Sequence, residues 1–190
     1  MALLESTANG VELNPGQVQL VRELGTSGAR VQLALAPAGT GKTTAMRVLS
    51  RAWTSPASEG AAGGRVVGLA PSAAAAAVLR EEIGTDTDTL AKLIHSLETG
   101  IAVPSWVTAI GPDTLVVIDE AGMAGTPALA KAIEYVIDRG GSIRLIHVPI
   151  ASVPPRLMCL IWTAIGRERR CLMESSDRRF SVTGLGRSAL

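Results

Sequence analysis

Short apolar runs recur along the first 150 residues and are separated by segments with helical character. Four of them are apolar enough to be buried strands: VQLALA at 31–36, VVGLAP at 66–71, TLVVIDE at 114–120 and SIRLIHV at 142–148. Continuous apolar runs of this length are typical of parallel strands that are covered on both faces. The pattern therefore predicts a four-stranded parallel sheet.

Helix signals fill the segments between these runs. Asn14 can cap a first helix that opens at Pro15, and Gly25 and Gly28 are expected to end it. Further helices are predicted from about Lys42 to Trp53, from a Ser72 cap to about Ile83, over 89–97, and from a Thr126 cap with Pro127 first to Gly140–Gly141. Alternating strands and helices predict an α/β fold with helices on both faces of the sheet.

The pattern changes after residue 148. Three prolines occur within 149–155, and alanine falls from 25 in the first 150 residues to 3 in the last 40. An arginine-rich run, RERR, occupies 167–170. A change of reading frame or of ancestor would produce such a break in composition. We therefore predict one domain over 1–148 and an irregular, poorly ordered tail over 149–190.

Charge and cysteine content narrow the class of protein. The net charge is +1, which predicts no strong overall attraction to nucleic acid or membrane, although residues 151–190 hold seven arginines and only three acidic residues. No apolar run approaches the roughly 18 residues of a membrane span. The N-terminal segment does not resemble a signal peptide, and two cysteines are too few for a disulfide scaffold. These features predict a cytoplasmic protein without a membrane partner, and nothing indicates an obligate oligomer.

A glycine-rich turn, APAGTGKT at 36–43, follows the first predicted strand. It matches the phosphate-binding pattern except that Ala36 replaces the usual first glycine. The glycines allow backbone N–H groups to point at a phosphate, Lys42 can reach the β- and γ-phosphates, and the Thr43 hydroxyl can coordinate Mg²⁺. The residues predicted to contact the nucleotide are Pro37, Ala38, Gly39, Thr40, Gly41, Lys42, Thr43 and Thr44. The alternative is a strand-to-helix turn without a ligand.

An acidic pair closes the third predicted strand, in LVVIDEAGM at 115–123. Asp119 would lie at the carboxyl end of the strand, where ligands bind in open α/β sheets, and would hold Mg²⁺ through water. Glu120 is expected to point elsewhere because strand side chains alternate, and to orient the attacking water as general base. With Lys42 as a second catalytic residue, the two motifs predict Mg²⁺ and ATP as cofactors. A surface acidic pair is the alternative.

Three motifs together, APAGTGKTT, LAPSAAAA and VVIDEAGM, resemble the first motor domain of superfamily 1, RecD-like DNA helicases. The likeness extends to the helicase region of conjugative relaxases of the TraI/TrwC type and covers roughly residues 12–146. It implies a RecA-like P-loop NTPase fold that binds ATP and single-stranded DNA. It also implies that Gln17, in LNPGQ, recognises adenine and that Ser72 and His95 contact DNA. Without the resemblance, these residues would be an exposed helix residue, a helix cap and a surface histidine.

The sequence also departs from this family. The family's fourth strand leads into a GDxxQL motif with a γ-phosphate-sensing glutamine, whereas here SIRLI leads into HVPIASVPP. No second motor domain or nicking domain is recognisable in the 190 residues. The chain is therefore expected to be a motor domain truncated after its fourth strand, with weak ATP hydrolysis and no unwinding alone. A small autonomous P-loop kinase with RERR as its lid, and a non-catalytic remnant of a helicase gene, remain alternatives.

Overall fold

The computed structural model describes residues 13–35, 41–56, 58, 62–146 and 182–184. Within this part of the chain, six strands form one sheet in which every neighbouring pair is parallel. The strands are β1 (Val31–Leu35), β2 (Arg65–Ala70), β3 (Asp86–Thr89), β4 (Thr114–Ile118), β5 (Ser142–Ile146) and β6 (Val182–Gly184). Their order is β3-β2-β4-β5-β1-β6, so that β5 lies between β1 and β4.

Helices cover both faces of this sheet. They are α1 (Pro15–Thr26), α2 (Lys42–Thr54), α3 (Ala73–Ile83), α4 (Leu90–Thr99), the single turn α5 (Ser105–Thr108) and α6 (Thr126–Asp138), with a 3₁₀ turn at Ala121–Met123. α1, α2 and α3 pack on one face, and α4, α5 and α6 pack on the other. The predicted α/β architecture is confirmed. No helix in the described ranges has the length and apolar character that crossing a membrane requires.

The central strand β4 shows why its sequence is continuously apolar. Val116 and Ile118 belong to the core under α4 and α6, whereas Leu115 and Val117 belong to the core under α1, α2 and α3. Each of these side chains is at most 2% exposed. A strand that is buried on both faces has no polar positions to alternate, as the sequence predicted.

Most helix starts follow the predicted caps. The Asn14 side chain accepts a hydrogen bond from the Gln17 N–H, and Ser72 accepts one from the Ala75 N–H. The predicted Thr126 cap is wrong, because the helix begins at Thr126 itself and Gly125 is its N-cap. Proline suits either of the first two helical positions, so Pro127 is compatible with a helix that begins at Thr126 and with one that begins at Pro127 itself.

Two strands were not predicted. β3 reads DTDT and pairs only with β2 at the edge of the sheet, so its sequence lacks the apolar signal of a central strand. Thr87 is its buried residue, and its hydroxyl donates to the Ala76 carbonyl at 2.7 Å. β6 pairs with Leu33–Leu35 and comes from the segment predicted to be irregular. The rest of 149–190 lies outside the described residues, so the boundary at 148 stays a prediction.

Arg144 on β5 anchors α1 to the sheet. Its side chain is buried, and its guanidinium donates to the Leu24 carbonyl from Nε at 3.0 Å and from Nη2 at 2.8 Å. Nη1 donates to the Ala29 carbonyl at 3.3 Å. Burial lowers the pKa of Arg144 to about 10, which leaves the group charged at neutral pH. A cation at the carboxyl end of α1 complements the helix dipole and its unpaired carbonyls.

Candidate nucleotide site

A cavity of about 370 Å³ opens at the edge of the sheet where β4 and β5 end. The beginning of α2, one face of α3 and the segment after β4 form its walls. Its lining residues are Lys42, Thr43, Met46, Ala75, Val78, Leu79, Glu82, Val117, Asp119, Glu120 and Ile146. Ligands of open α/β sheets bind at this carboxyl edge. The structure therefore brings Lys42, Thr43, Asp119 and Glu120 together, as the two motifs predicted.

Gly41 sets the start of α2. Its φ of 73° and ψ of 35° are left-handed, a conformation that glycine adopts without strain. The helix begins at Lys42, and no side chain of the described residues caps it. The N–H groups at a helix start favour an anion, and Lys42, Thr43 and Thr44 occupy this first turn. Pro37, Ala38, Gly39 and Thr40 lie outside the described residues, so their predicted contacts stay predictions.

Gln17 holds the start of α2 from the side of α1. Its Nε2 donates to the Gly41 carbonyl at 3.0 Å, and its Oε1 accepts from the Asn14 N–H at 2.9 Å. The residue is 7% exposed, so the interpretation of Gln17 as an exposed helix residue is wrong. Its predicted role in adenine recognition stays a prediction. The structure shows Gln17 as a bridge between two helix N-termini.

Thr43 contacts a carboxylate that the sequence analysis did not single out. Its Oγ1 donates to Glu82 Oε1 at 3.0 Å, and Glu82 lines the same cavity from the last turn of α3. The helical spacing of Ala75, Leu79 and Glu82 was a usable signal, because these positions share one face of a helix. It could not have shown that this face turns toward α2.

Asp119 and Glu120 follow β4, which ends at Ile118. The Asp119 N–H donates to the Leu69 carbonyl at 2.9 Å, which extends the pairing with β2 by one bond. Asp119 Oδ1 accepts from the Glu120 N–H at 2.9 Å, and Glu120 has a left-handed φ of 47°. Both residues line one cavity. Because β4 ends at Ile118 and Glu120 has left-handed backbone angles, the strand alternation from which its direction was predicted does not extend to Glu120.

The two residues predicted to contact DNA lie on separate helices. Ser72 is exposed just beyond β2, where its side chain caps α3. His95 is exposed in the second turn of α4. α3 and α4 cover opposite faces of the sheet. A single DNA strand that contacted both Ser72 and His95 would therefore have to pass over the edge of the sheet. Their role in DNA binding stays a prediction.

The donors in the cavity fit magnesium bound together with a nucleotide. Among the described residues, no group of three His, Cys, Asp or Glu side chains could hold a metal ion unaided. Mg²⁺ at phosphate sites commonly takes one or two protein oxygens and completes its shell with phosphate and water. Thr43 and Asp119 supply an uncharged and a charged oxygen of this kind beside Lys42.

Residues 12–147 match the family described as AAA domain. The chain belongs to this family. Two relatives are conjugal transfer proteins TraA, one from Agrobacterium fabrum (strain C58) at 32% identity and one from Rhizobium radiobacter at 31%. Each match spans 121 residues, which are 64% of this chain and 10% of the relative. The chain thus corresponds to about a tenth of the length of either transfer protein.

The fold also has a helicase among its structural neighbours. The crystal structure of the UvsW helicase from bacteriophage T4 superposes with a TM-score of 0.59 over 82% of this chain and 58% of that protein. At 14% identity this likeness shows the fold alone. Together with the family and the transfer proteins, it confirms the resemblance to a RecA-like helicase motor domain. At the family level, the chain is an AAA-type P-loop NTPase domain whose fold resembles that of a helicase motor.

Proposed function

We propose that this chain is the ATP-binding part of a DNA helicase motor that serves conjugative transfer. The observation that carries the proposal is the meeting of two elements at one cavity. The first turn of α2 brings Lys42 and Thr43, and the bend after β4 brings Asp119 and Glu120. The matches to conjugal transfer proteins support a motor of this kind over other P-loop proteins.

Each side chain has a role that its chemistry suits. The first-turn N–H groups of α2 and the ammonium of Lys42 would hold the phosphates, and Thr43 and Asp119 would hold Mg²⁺. When bound, Mg²⁺ neutralises charge on the phosphate oxygens. Glu120 would orient the water that attacks the terminal phosphate, because a carboxylate can accept a proton from it.

Single-stranded DNA is the second proposed partner. Ser72 offers an exposed hydroxyl at the start of α3, where backbone N–H groups favour a phosphate. α3 then runs from this end to Glu82 at the cavity. One helix would therefore contact both the DNA and the nucleotide site.

Slow turnover is expected from this chain by itself. An arginine supplied from another domain or partner typically accelerates phosphoryl transfer by about 10³–10⁵. In helicases, unwinding requires a second motor domain that closes on ATP. The kinase alternative relied on RERR at 167–170 as a lid, which lies outside the described residues.

Titration with a fluorescent ATP analogue tests the proposal. Lys42→Ala should weaken binding at least about tenfold, because a charged hydrogen bond is worth about 1.5–3 kcal/mol. Lys92→Ala is the matched control, since Lys92 is an exposed lysine on α4, on the opposite face of the sheet from α2, and should bind as wild type does. Equal affinity of wild type and Lys42→Ala would remove the cavity as the nucleotide site.

A further inference from the structure

α3 contributes a carboxylate to a cavity whose other polar side chains come from the phosphate-binding turn and the end of β4. The carboxylate of Glu82 accepts a hydrogen bond from the Thr43 hydroxyl at 3.0 Å. Thr43 is the residue whose hydroxyl is proposed to meet Mg²⁺. The proposed nucleotide chemistry assigns no role to Glu82. Its carboxylate nevertheless contacts Thr43 Oγ1, the atom proposed to bind Mg²⁺.

The backbone around Glu82 is held independently of its side chain. Arg47, one turn after Thr43 on α2, donates from Nε to the Glu82 carbonyl at 2.8 Å. Leu79 and Ile83, on the buried side of α3, belong to the core that α2 shares. The position of the carboxylate is therefore set by helix packing, and removing the carboxylate leaves this anchor in place.

The direction of the hydrogen bond matters for metal binding. A threonine hydroxyl has one proton and two lone pairs. When the proton is given to Glu82, the lone pairs remain available for a cation. Without an acceptor at this place, nothing in the described residues fixes the direction of the hydroxyl proton.

We propose that Glu82 is a positioning residue that holds the Thr43 hydroxyl ready for the Mg²⁺ of a bound nucleotide. The inference rests on the proposed function of the cavity. Glu82 acts through Thr43 and touches neither metal nor nucleotide, so its loss affects the magnesium-dependent part of nucleotide affinity.

The test compares nucleotide affinity with excess Mg²⁺ and with EDTA, using the same fluorescent ATP analogue. The measured quantity is the ratio of the two affinities in each variant. Glu82→Ala lowers this ratio about fivefold, the equivalent of one ordinary hydrogen bond. Glu82→Gln retains it within about twofold, because the amide oxygen still accepts from the hydroxyl. Glu81→Ala, an exposed neighbour on the same helix, matches wild type.

A double-mutant cycle with Thr43→Val identifies the route of the effect. If Glu82 acts through Thr43, adding Glu82→Ala to Thr43→Val changes the ratio no further. An unchanged ratio in Glu82→Ala, an equal loss in Glu82→Gln, or additive losses in the cycle would each overturn the inference. Thermal unfolding of every variant checks that α3 remains folded.

The same measurements give a different result if the cavity does not bind a nucleotide with Mg²⁺ at all. In that case the wild-type protein shows no effect of Mg²⁺ and Lys42→Ala binds as tightly as wild type, which overturns both proposals together. If instead wild type and Lys42→Ala behave as expected and Glu82→Ala keeps the full ratio, only the role of Glu82 is overturned.

Discussion

The carboxamide of Gln17 donates a hydrogen bond to the carbonyl of Gly41 across 3.0 Å. This bond joins the first turn of α1 to Gly41, the N-cap residue of α2. The same carboxamide accepts from the Asn14 N–H, so the cap of one helix and the start of the next are held by a single side chain. The position of Lys42, the lysine proposed to bind phosphate, therefore depends on a side chain that lies on the preceding helix.

We expect Gly41→Ala to disrupt this junction. A left-handed φ costs a residue with a Cβ about 1–2 kcal/mol, and a Cβ at this position would run into Gln17 Nε2. The free energy of unfolding of Gly41→Ala should therefore fall by more than the backbone strain of about 1–2 kcal/mol. Gly84→Ala supplies the control, because Gly84 has a φ of 68° and open space around its missing Cβ. Urea unfolding that gives equal losses for both variants would show that the contact with Gln17 is unimportant.

We expect substitutions of the two carboxylates after β4 to have different effects. Asp119→Asn should weaken Mg²⁺-dependent nucleotide binding, because it removes the charged oxygen proposed to face the metal. Glu120→Gln should leave binding intact and abolish hydrolysis, because an amide is a poor proton acceptor. Nucleotide titrations and phosphate-release assays measure the two properties separately. Hydrolysis by Glu120→Gln at the wild-type rate would disprove its assignment as the base.

We expect Arg144→Ala to lower the free energy of unfolding by about 2–4 kcal/mol, because carbonyls at the end of α1 lose a charged donor in a buried place. Arg144→Lys should recover only part of this loss, since an ammonium lacks the planar fork that reaches Leu24 and Ala29 together. Chemical denaturation measures the difference.

The exposed Arg22 on α1 serves as the comparison for Arg144. Arg22→Ala should change the free energy of unfolding by no more than about 0.5 kcal/mol, as is usual for surface positions. If Arg144→Ala were as mild as Arg22→Ala, the buried guanidinium would not be what anchors α1.

We expect the purified 190-residue chain not to unwind DNA. Its ATP hydrolysis should be slow and barely stimulated by single-stranded DNA, because neither the GDxxQL sensor nor a second motor domain is recognisable in its sequence. A strand-displacement assay beside a phosphate-release assay, each with and without DNA, measures both activities. Robust unwinding would mean that residues 149–190 take over the roles of the sensor motif and the second motor domain.

The elements with strong local signals were predictable, but not all of their ends were. β4 is apolar because it is buried on both faces, and α3 begins at its serine cap, so local sequence was sufficient for both. β4 nevertheless ends at Ile118, two residues before the predicted end, because Glu120 takes a left-handed bend that no local pattern marks. The polar edge strand β3 owes its existence to pairing with β2 and was missed for that reason.

By itself, the sequence determined which chemical groups the candidate site offers, because glycine, lysine, threonine and aspartate at these spacings are the residues expected to serve phosphate and magnesium through local backbone geometry. Only the tertiary structure decided which further residues join them. Glu82 faces Thr43 because α2 and α3 pack side by side on one face of the sheet, and Gln17 meets Gly41 because Arg144 and the core hold α1 beside α2. Such contacts join residues that are 24 or more positions apart, and they follow from the packing of whole helices, which no short stretch of sequence encodes.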